Sequence, residues 1–250
     1  MKVVYEKSPV LTDVPLTFCP GCTHGTILKL VAESIHELDL AGRTVGVSSV
    51  GCSVLTYDFL ACDFVQAPHG RAPAVATGLV RSLPDNVVFT YQGDGDLAAI
   101  GTAETVHAAS RGENIIIIFV NNAIYGMTGG QMAPTTLAGQ VTQTTPYGRD
   151  LAATGYPLRV CEMLATLDGV AYIERVSAHS VPHIRKAKKA IKKAFEYQAA
   201  KRGFALVEIL STCPTNWGLT PVESLGWLEE NMLPYYPLGV FKDKYAREGE

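Results

Sequence analysis

The 250-residue chain carries 21 Lys and Arg against 24 Asp and Glu, a formal net charge of −3, which excludes a general binder of the nucleic-acid backbone. Hydrophobic residues make up 47% and charged residues 18%, a balance that excludes disorder and predicts surface buried against other subunits. The length permits one large domain or two small ones.

The opening stretch, MKVVYEKSPVLTDVPLTFCPGC, mixes charged and apolar residues and lacks the long apolar core of a signal peptide. The longest apolar run, 115–120, falls far short of the roughly 20 residues that cross a bilayer. The expected address is the cytoplasm, with no membrane partner. In that reducing compartment the six cysteines are expected as core residues, metal ligands or redox groups.

Strand-like runs alternate with helical patterns along the chain. A helix is expected over 26–38, a strand over 44–50, a helix over 72–83 and a strand over 86–91. An Ala-rich helix over 98–110 and a strand over 115–121 follow. Then come a helix over 150–167, a strand over 170–176, a Lys-rich helix over 184–201 and a strand over 204–210. Continuous apolar strands separated by helices predict an α/β fold, a parallel sheet flanked by helices. The Gly- and Thr-rich segment 125–149 is too long for an ordinary connection and reads as a functional loop. From about 211 the chain reads as an irregular C-terminal arm, with both Trp residues in it. No domain boundary interrupts 1–250, so a single domain is expected.

The most informative segment is YQGDGDLAAIGTAETVHAASRGENIIIIFVNNAIYGMTGGQ, 91–131. One strand ends at Gln92 and is followed by Gly93-Asp94-Gly95 and a helix, and the next strand ends in Asn121-Asn122. In a parallel sheet both ends open on the ligand-binding edge, so Asp94 and Asn122 point oxygens at one place. A carboxylate and an amide oxygen suit a hard cation such as Mg²⁺. The glycines admit a diphosphate to the backbone, and the helix start that follows favours its charge.

Cys19-Pro-Gly-Cys22 allows three readings: a redox pair, half a zinc site, or part of an iron–sulfur site completed by distant cysteines. Cys52 and Cys213 each follow an apolar strand on the same edge, so all four thiols can converge. Cys62 and Cys161 have no such context and are expected in the core. His69 and Arg71, at a helix start, are candidates for an anion; His107 is expected to pack, and His36, His179 and His183 carry no signal.

GDGD followed by the double Asn resembles the thiamine diphosphate motif, and YGMTGGQ resembles the β subunits of 2-oxoacid:ferredoxin oxidoreductases, a likeness that runs from Phe18 to about Asp243. The resemblance implies the diphosphate-binding half of a thiamine enzyme. It implies that Asp94 and Asn122, with the main-chain carbonyl of Ile124, hold Mg²⁺. It places Cys22, His24, Gly51, Gly93, Gly95 and Thr128 beside thiamine diphosphate. Cys19, Cys22, Cys52 and Cys213 become the ligands of a [4Fe–4S] cluster. The implied reaction takes a 2-oxoacid and CoA to acyl-CoA and CO₂, with electrons passing to ferredoxin.

The carboxylate that activates thiamine is missing from this chain, so it is expected on a separate α subunit with the pyrimidine-binding domain. Further γ and ferredoxin-like δ subunits are expected. The phrases HGRAPAVATG and MAPTTLAGQ look closest to the 2-oxoglutarate and branched-chain types, with 2-oxoglutarate favoured. The competing readings are a thiamine enzyme without electron transfer and a non-catalytic zinc module.

Overall fold

The computed structural model describes residues 5–246, so the four residues at each end of the expected domain lie outside the described residues. In chain order the strands are β1 (Thr44–Ser48), β2 (Asp63–Gln66), β3 (Val87–Gly93), β4 (Ile116–Asn121), β5 (Val170–Ser177), β6 (Phe204–Leu210) and β7 (Gly239–Asp243). They form one sheet in the order β2-β1-β3-β4-β6-β5-β7, parallel except for β7, which runs antiparallel to β5.

The helices are α1 (His24–Glu37), α2 (Thr56–Phe59), α3 (Ala72–Ser82), α4 (Thr102–Arg111), α5 (Leu151–Thr154), α6 (Val160–Ala165), α7 (Val181–Ala199), α8 (Pro214–Trp217), α9 (Pro221–Trp227) and α10 (Leu233–Tyr235). Successive side chains of a strand face opposite ways, so one isoleucine run serves two cores. Ile116 and Ile118 pack under α1 and α7 with Ile27, Val31, Ile191 and Phe195. Ile115, Ile117 and Phe119 pack under α3, α4 and α6 with Ala76, Ala108 and Leu164. The lysines of α7 keep to its outer side, where Lys188 pairs with Glu33 and Glu37 of α1, both at 2.7 Å.

Five strands lie where the sequence predicts them. β2 and β7 were not foreseen: each is a short edge strand, exposed or half-buried throughout, without an apolar run. The helix expected over 98–110 is two pieces. Gly95–Ile100 winds as a π-helical turn, closed by Gly101 N donating to Asp96 O at 2.8 Å, before α4 begins. The helix expected over 150–167 breaks into α5 and α6, because Gly155 adopts a φ of 72° and Pro157 follows.

The segment from 211, expected to be irregular, instead folds into α8 to α10 and β7. Thr220 and Glu223 form a reciprocal capping box on α9. Leu228, Met232 and Tyr236 bury a small separate core against Leu137 and Leu210. Among the described residues no helix is long and apolar enough to cross a membrane.

The register fixes the functional edge. Ser48 pairs with Tyr91, Gly93 with Val120 and Asn121 with Leu210. The exits of β1, β3, β4 and β6 therefore lie side by side, and the segments that follow carry Cys52, Asp94, Asn122 and Cys213.

Candidate functional site

Asp94 sits at the exit of β3 and caps the π-turn. Its Oδ1 accepts from Gly95 N at 2.8 Å; its Oδ2 accepts from Ile124 N at 3.1 Å and Thr135 Oγ1 at 2.6 Å. The carboxyl is 2% exposed, and burial pushes it up to about 7, because these hydrogen bonds offset the loss of water only in part.

The Asn doublet divides its labour. Asn121 turns inward: its Nδ2 donates to Glu208 Oε1 at 2.7 Å and its Oδ1 accepts from Ala123 N at 3.0 Å. Asn122 turns toward Asp94, with its Oδ1 accepting from Ile124 N at 3.3 Å. Ala123 makes the switch with a φ of 56°, a left-handed conformation that costs a non-glycine residue energy.

A cavity of about 110 Å³ opens between these segments, lined by His24, Gly51, Gly93, Asp94, Gly95, Asn122, Ile124 and Thr128. A Cβ on Gly93 or Gly51 would meet no atom within 4 Å, so both glycines face open space. Gly95 is fixed by packing: a Cβ there would lie 2.1 Å from the Tyr125 ring. Thr128 is exposed at the rim, and its hydroxyl bonds Gln131 Oε1.

A second cavity, of about 420 Å³, adjoins the first and is lined by Cys19, Cys22, Cys52 and Cys213, with Phe18, His24, Asn122 and Gly126. The CPGC turn reaches it because β6's exit holds it there. Thr212 Oγ1 donates to Gly21 O at 2.7 Å, and the Thr23 and Ser211 hydroxyls bond at 2.6 Å. A Cβ on Gly21 would strike Pro221 at 2.5 Å, so this turn needs glycine for space as well as for its φ of 78°.

Burial pushes the Cys22 thiol up to about 12, and the charges of Cys213, Cys52 and Cys19 push the same way. Burial raises Cys52 to about 11, helped by Cys213 and Cys19. The four cysteines line one cavity, with Cys213 buried, Cys22 and Cys52 half-buried and Cys19 exposed. Among the described residues no group of three or more His, Cys, Asp or Glu is already arranged to hold a metal ion. Cys161 is fully buried with its Sγ 2.9 Å from Glu208, and Cys62 is half-buried against the α1–α7 core.

His24 stands between the two cavities. Its Nδ1 hydrogen-bonds the Tyr91 hydroxyl at 2.9 Å, and its ring stacks on Phe18 at 5.0 Å. Burial lowers it to about 4, so the imidazole is neutral near pH 7. Gly126 forms the wall: a Cβ there would lie 3.2 Å from Cys52 Sγ, 3.6 Å from Asn122 Nδ2 and 3.7 Å from Cys213 Sγ.

Sequence reasoning missed three supporting groups. Asp96, the second Asp of GDGD, accepts from Ser49 Oγ at 2.7 Å, Gly70 N at 2.6 Å and Gln92 Nε2 at 2.5 Å, and pairs with His69 Nδ1 at 2.5 Å. His69 therefore lines the smaller cavity as a partner of Asp96, while Arg71 turns away to Glu104. The second group lies behind Asn121: Glu208 Oε2 accepts from the fully buried Arg175 at 2.7 Å, and Arg175 donates to both oxygens of Glu162, at 3.0 and 2.6 Å. The third is Thr135. The doubled Asp in GDGD was the available signal for the first; the others are contacts between distant segments. A larger cavity, about 500 Å³, lies between Leu137–Val141 and Trp217, Trp227 and Tyr235, and carries none of the expected site residues.

Residues 49–209 match the C-terminal TPP-binding domain of thiamine pyrophosphate enzymes. The ketoisovalerate oxidoreductase subunit VorA of Methanothermobacter thermautotrophicus is 48% identical over 243 residues, 97% of this chain and 51% of the relative. The chain thus spans about half the length of that relative. The 2-oxoglutarate synthase subunit KorB of Archaeoglobus fulgidus is 36% identical over 258 residues, 99% of this chain and 92% of the relative. Among solved structures, the 2-oxoglutarate:ferredoxin oxidoreductase of Magnetococcus marinus, with 2-oxoglutarate, coenzyme A and succinyl-CoA bound, superposes with a TM-score of 0.79 at 30% identity, covering 98% of this chain and 87% of that one. The chain belongs to the β-type, thiamine diphosphate-binding subunits of the 2-oxoacid:ferredoxin oxidoreductase family.

Proposed function

We propose that this chain is the cofactor- and cluster-bearing subunit of a cytoplasmic 2-oxoacid:ferredoxin oxidoreductase, which converts a 2-oxoacid and CoA to acyl-CoA and CO₂. The observation that carries the reading is the adjacency of the two cavities, one with a buried carboxylate and open glycines, the other ringed by four cysteines, with Gly126 between them. Thiamine diphosphate, when bound, supplies the thiazolium that stabilises a carbanion.

The residues fit that group. Gly51 and Gly93 leave a cradle that any Cβ would fill, which suits a diphosphate against the backbone. Asp94 and Asn122 offer oxygen donors to Mg²⁺, completed by the Ile124 carbonyl. A cation there would restore the charge that burial disfavours on Asp94. The donor set of Cys19, Cys22, Cys52 and Cys213 suits a [4Fe–4S] cluster: the exposed Cys19, the half-buried Cys22 and Cys52 and the buried Cys213 line one cavity, and bound iron would offset the cost that burial places on thiolates at Cys22 and Cys52. A neutral His24 presents an uncharged ring to both cavities.

The pyrimidine-binding domain and the activating carboxylate belong to a partner α subunit, with γ and ferredoxin-like δ subunits and ferredoxin completing electron transfer. The cavity ringed by the four cysteines is otherwise walled by apolar Phe18, Val54, Leu55 and Met127, which suits a cluster shielded from water. The higher identity to ketoisovalerate oxidoreductase subunits favours a branched-chain 2-oxoacid over the 2-oxoglutarate suggested by the sequence phrases.

The test is anaerobic co-purification with the chains encoded beside it, then a 2-oxoacid panel with CoA and ferredoxin. CoA-dependent ferredoxin reduction, fastest with branched-chain 2-oxoacids, is expected. Reduction by no 2-oxoacid, or zinc in place of iron and sulfide, contradicts the reading.

A further inference from the structure

Asn216 lies in α8, the single helical turn that follows Cys213. Its Nδ2 donates to the Gly126 carbonyl at 2.7 Å and to Cys213 Sγ at 3.3 Å. Both partners accept, so the amide orientation is fixed: turned the other way, Oδ1 would face an oxygen and a sulfur. The side chain is half-buried and packed, because a Cβ on Gly130 would lie 3.2 Å from Asn216 Cβ. Helix geometry brings the residue three positions after the cysteine back over the sulfur. Trp217 holds the same turn in place, its Nε1 donating to Asn122 O at 3.2 Å.

We propose that Asn216 is a tuning residue for the cluster held by the four cysteines, setting its reduction potential through the N–H···S bond to Cys213 while its second N–H fixes the Gly126 wall between the cavities. The proposal rests on the cysteine reading above. Reduction of the cluster is [4Fe–4S]²⁺ + e⁻ → [4Fe–4S]⁺, with no proton taken up and no ligand lost. The added negative charge spreads onto the sulfurs, so a donor to sulfur stabilises the reduced state more and raises the potential. Removing the donor lowers it.

The experiment is an EPR-monitored dithionite titration of the anaerobically purified protein with its partner chains, comparing wild type, Asn216→Leu and Asn216→Asp. Leu removes the donor. Asp has the same shape, loses both N–H groups and adds a negative charge near the sulfur. With iron and sulfide content retained, the midpoint should become more negative in Asn216→Leu and more negative still in Asn216→Asp. An unchanged midpoint in both, with full iron, overturns the tuning role and leaves the cysteine reading intact. Loss of the cluster from both variants assigns Asn216 to cluster assembly and also overturns tuning. Wild-type protein without iron overturns the cysteine reading, and this proposal with it.

Discussion

Thr135 donates its hydroxyl to Asp94 Oδ2 at 2.6 Å, joining the long loop to the carboxylate at the exit of β3. The loop is held from behind. Tyr236 of the C-terminal arm donates to the Thr135 carbonyl at 2.7 Å, and Arg149 donates to Pro134 O at 3.0 Å. The arm and the loop therefore help set the orientation of Asp94, the carboxylate at the centre of the proposed cofactor site.

Replacing Thr135 with Val keeps the shape and removes one bond to a charged acceptor, an interaction worth roughly 1.5–3 kcal/mol. Affinity for Mg²⁺–thiamine diphosphate should fall about tenfold or more, while Thr135→Ser keeps most of it. A fluorescence titration checks this, since Trp217 bonds the Asn122 carbonyl. Equal affinity in Thr135→Val would remove Thr135 from the site.

Asp94→Ala should cost more. It removes the only carboxylate placed on the expected cation by the sequence motif, so cofactor affinity should fall at least about a hundredfold, roughly 2.7 kcal/mol. Isothermal titration calorimetry with Mg²⁺ and thiamine diphosphate gives the answer; wild-type affinity in the variant contradicts the motif reading.

The glycines separate folding from binding. Gly95→Ala places a methyl 2.1 Å from the Tyr125 ring and should destabilise the fold by about 1–3 kcal/mol. Gly93→Ala meets nothing within 4 Å, so urea unfolding should change little while cofactor affinity drops. The reverse pattern would mean that the diphosphate does not approach β3.

Much of this was legible because it is local. β4 and β6 are unbroken apolar runs, and GDGD and the Asn doublet mark where β3 and β4 end. What was not legible lies between distant segments. Glu208 and Arg175 read as ordinary charged residues within strands, yet both are fully buried and pair at 2.7 Å. Thr135 sits within the phrase MAPTTLAGQ and Asn216 three residues after Cys213, yet neither position reveals a partner; only the folded loop and arm bring them to Asp94 and Cys213. The edge strands β2 and β7 escaped because edges lack the two-sided apolar pattern.

The Glu208–Arg175 pair makes its own prediction. Glu208→Ala strands a buried guanidinium and frees the Asn121 amide, so stability should fall by about 3–5 kcal/mol in urea unfolding. A loss below about 1 kcal/mol would show that Glu162 alone satisfies Arg175.

The most direct measurement of the central claim is iron and sulfide per chain, with the EPR signal of the reduced protein, in anaerobically purified wild type and in Cys→Ser variants at all six cysteines. Cys19→Ser, Cys22→Ser, Cys52→Ser and Cys213→Ser should each lose the cluster or hold it only weakly. Cys62→Ser and Cys161→Ser should keep full iron, with Cys161→Ser costing some stability through its contact with Glu208. Full iron in Cys213→Ser, or iron loss in a stably folded Cys62→Ser, would contradict the four-cysteine site.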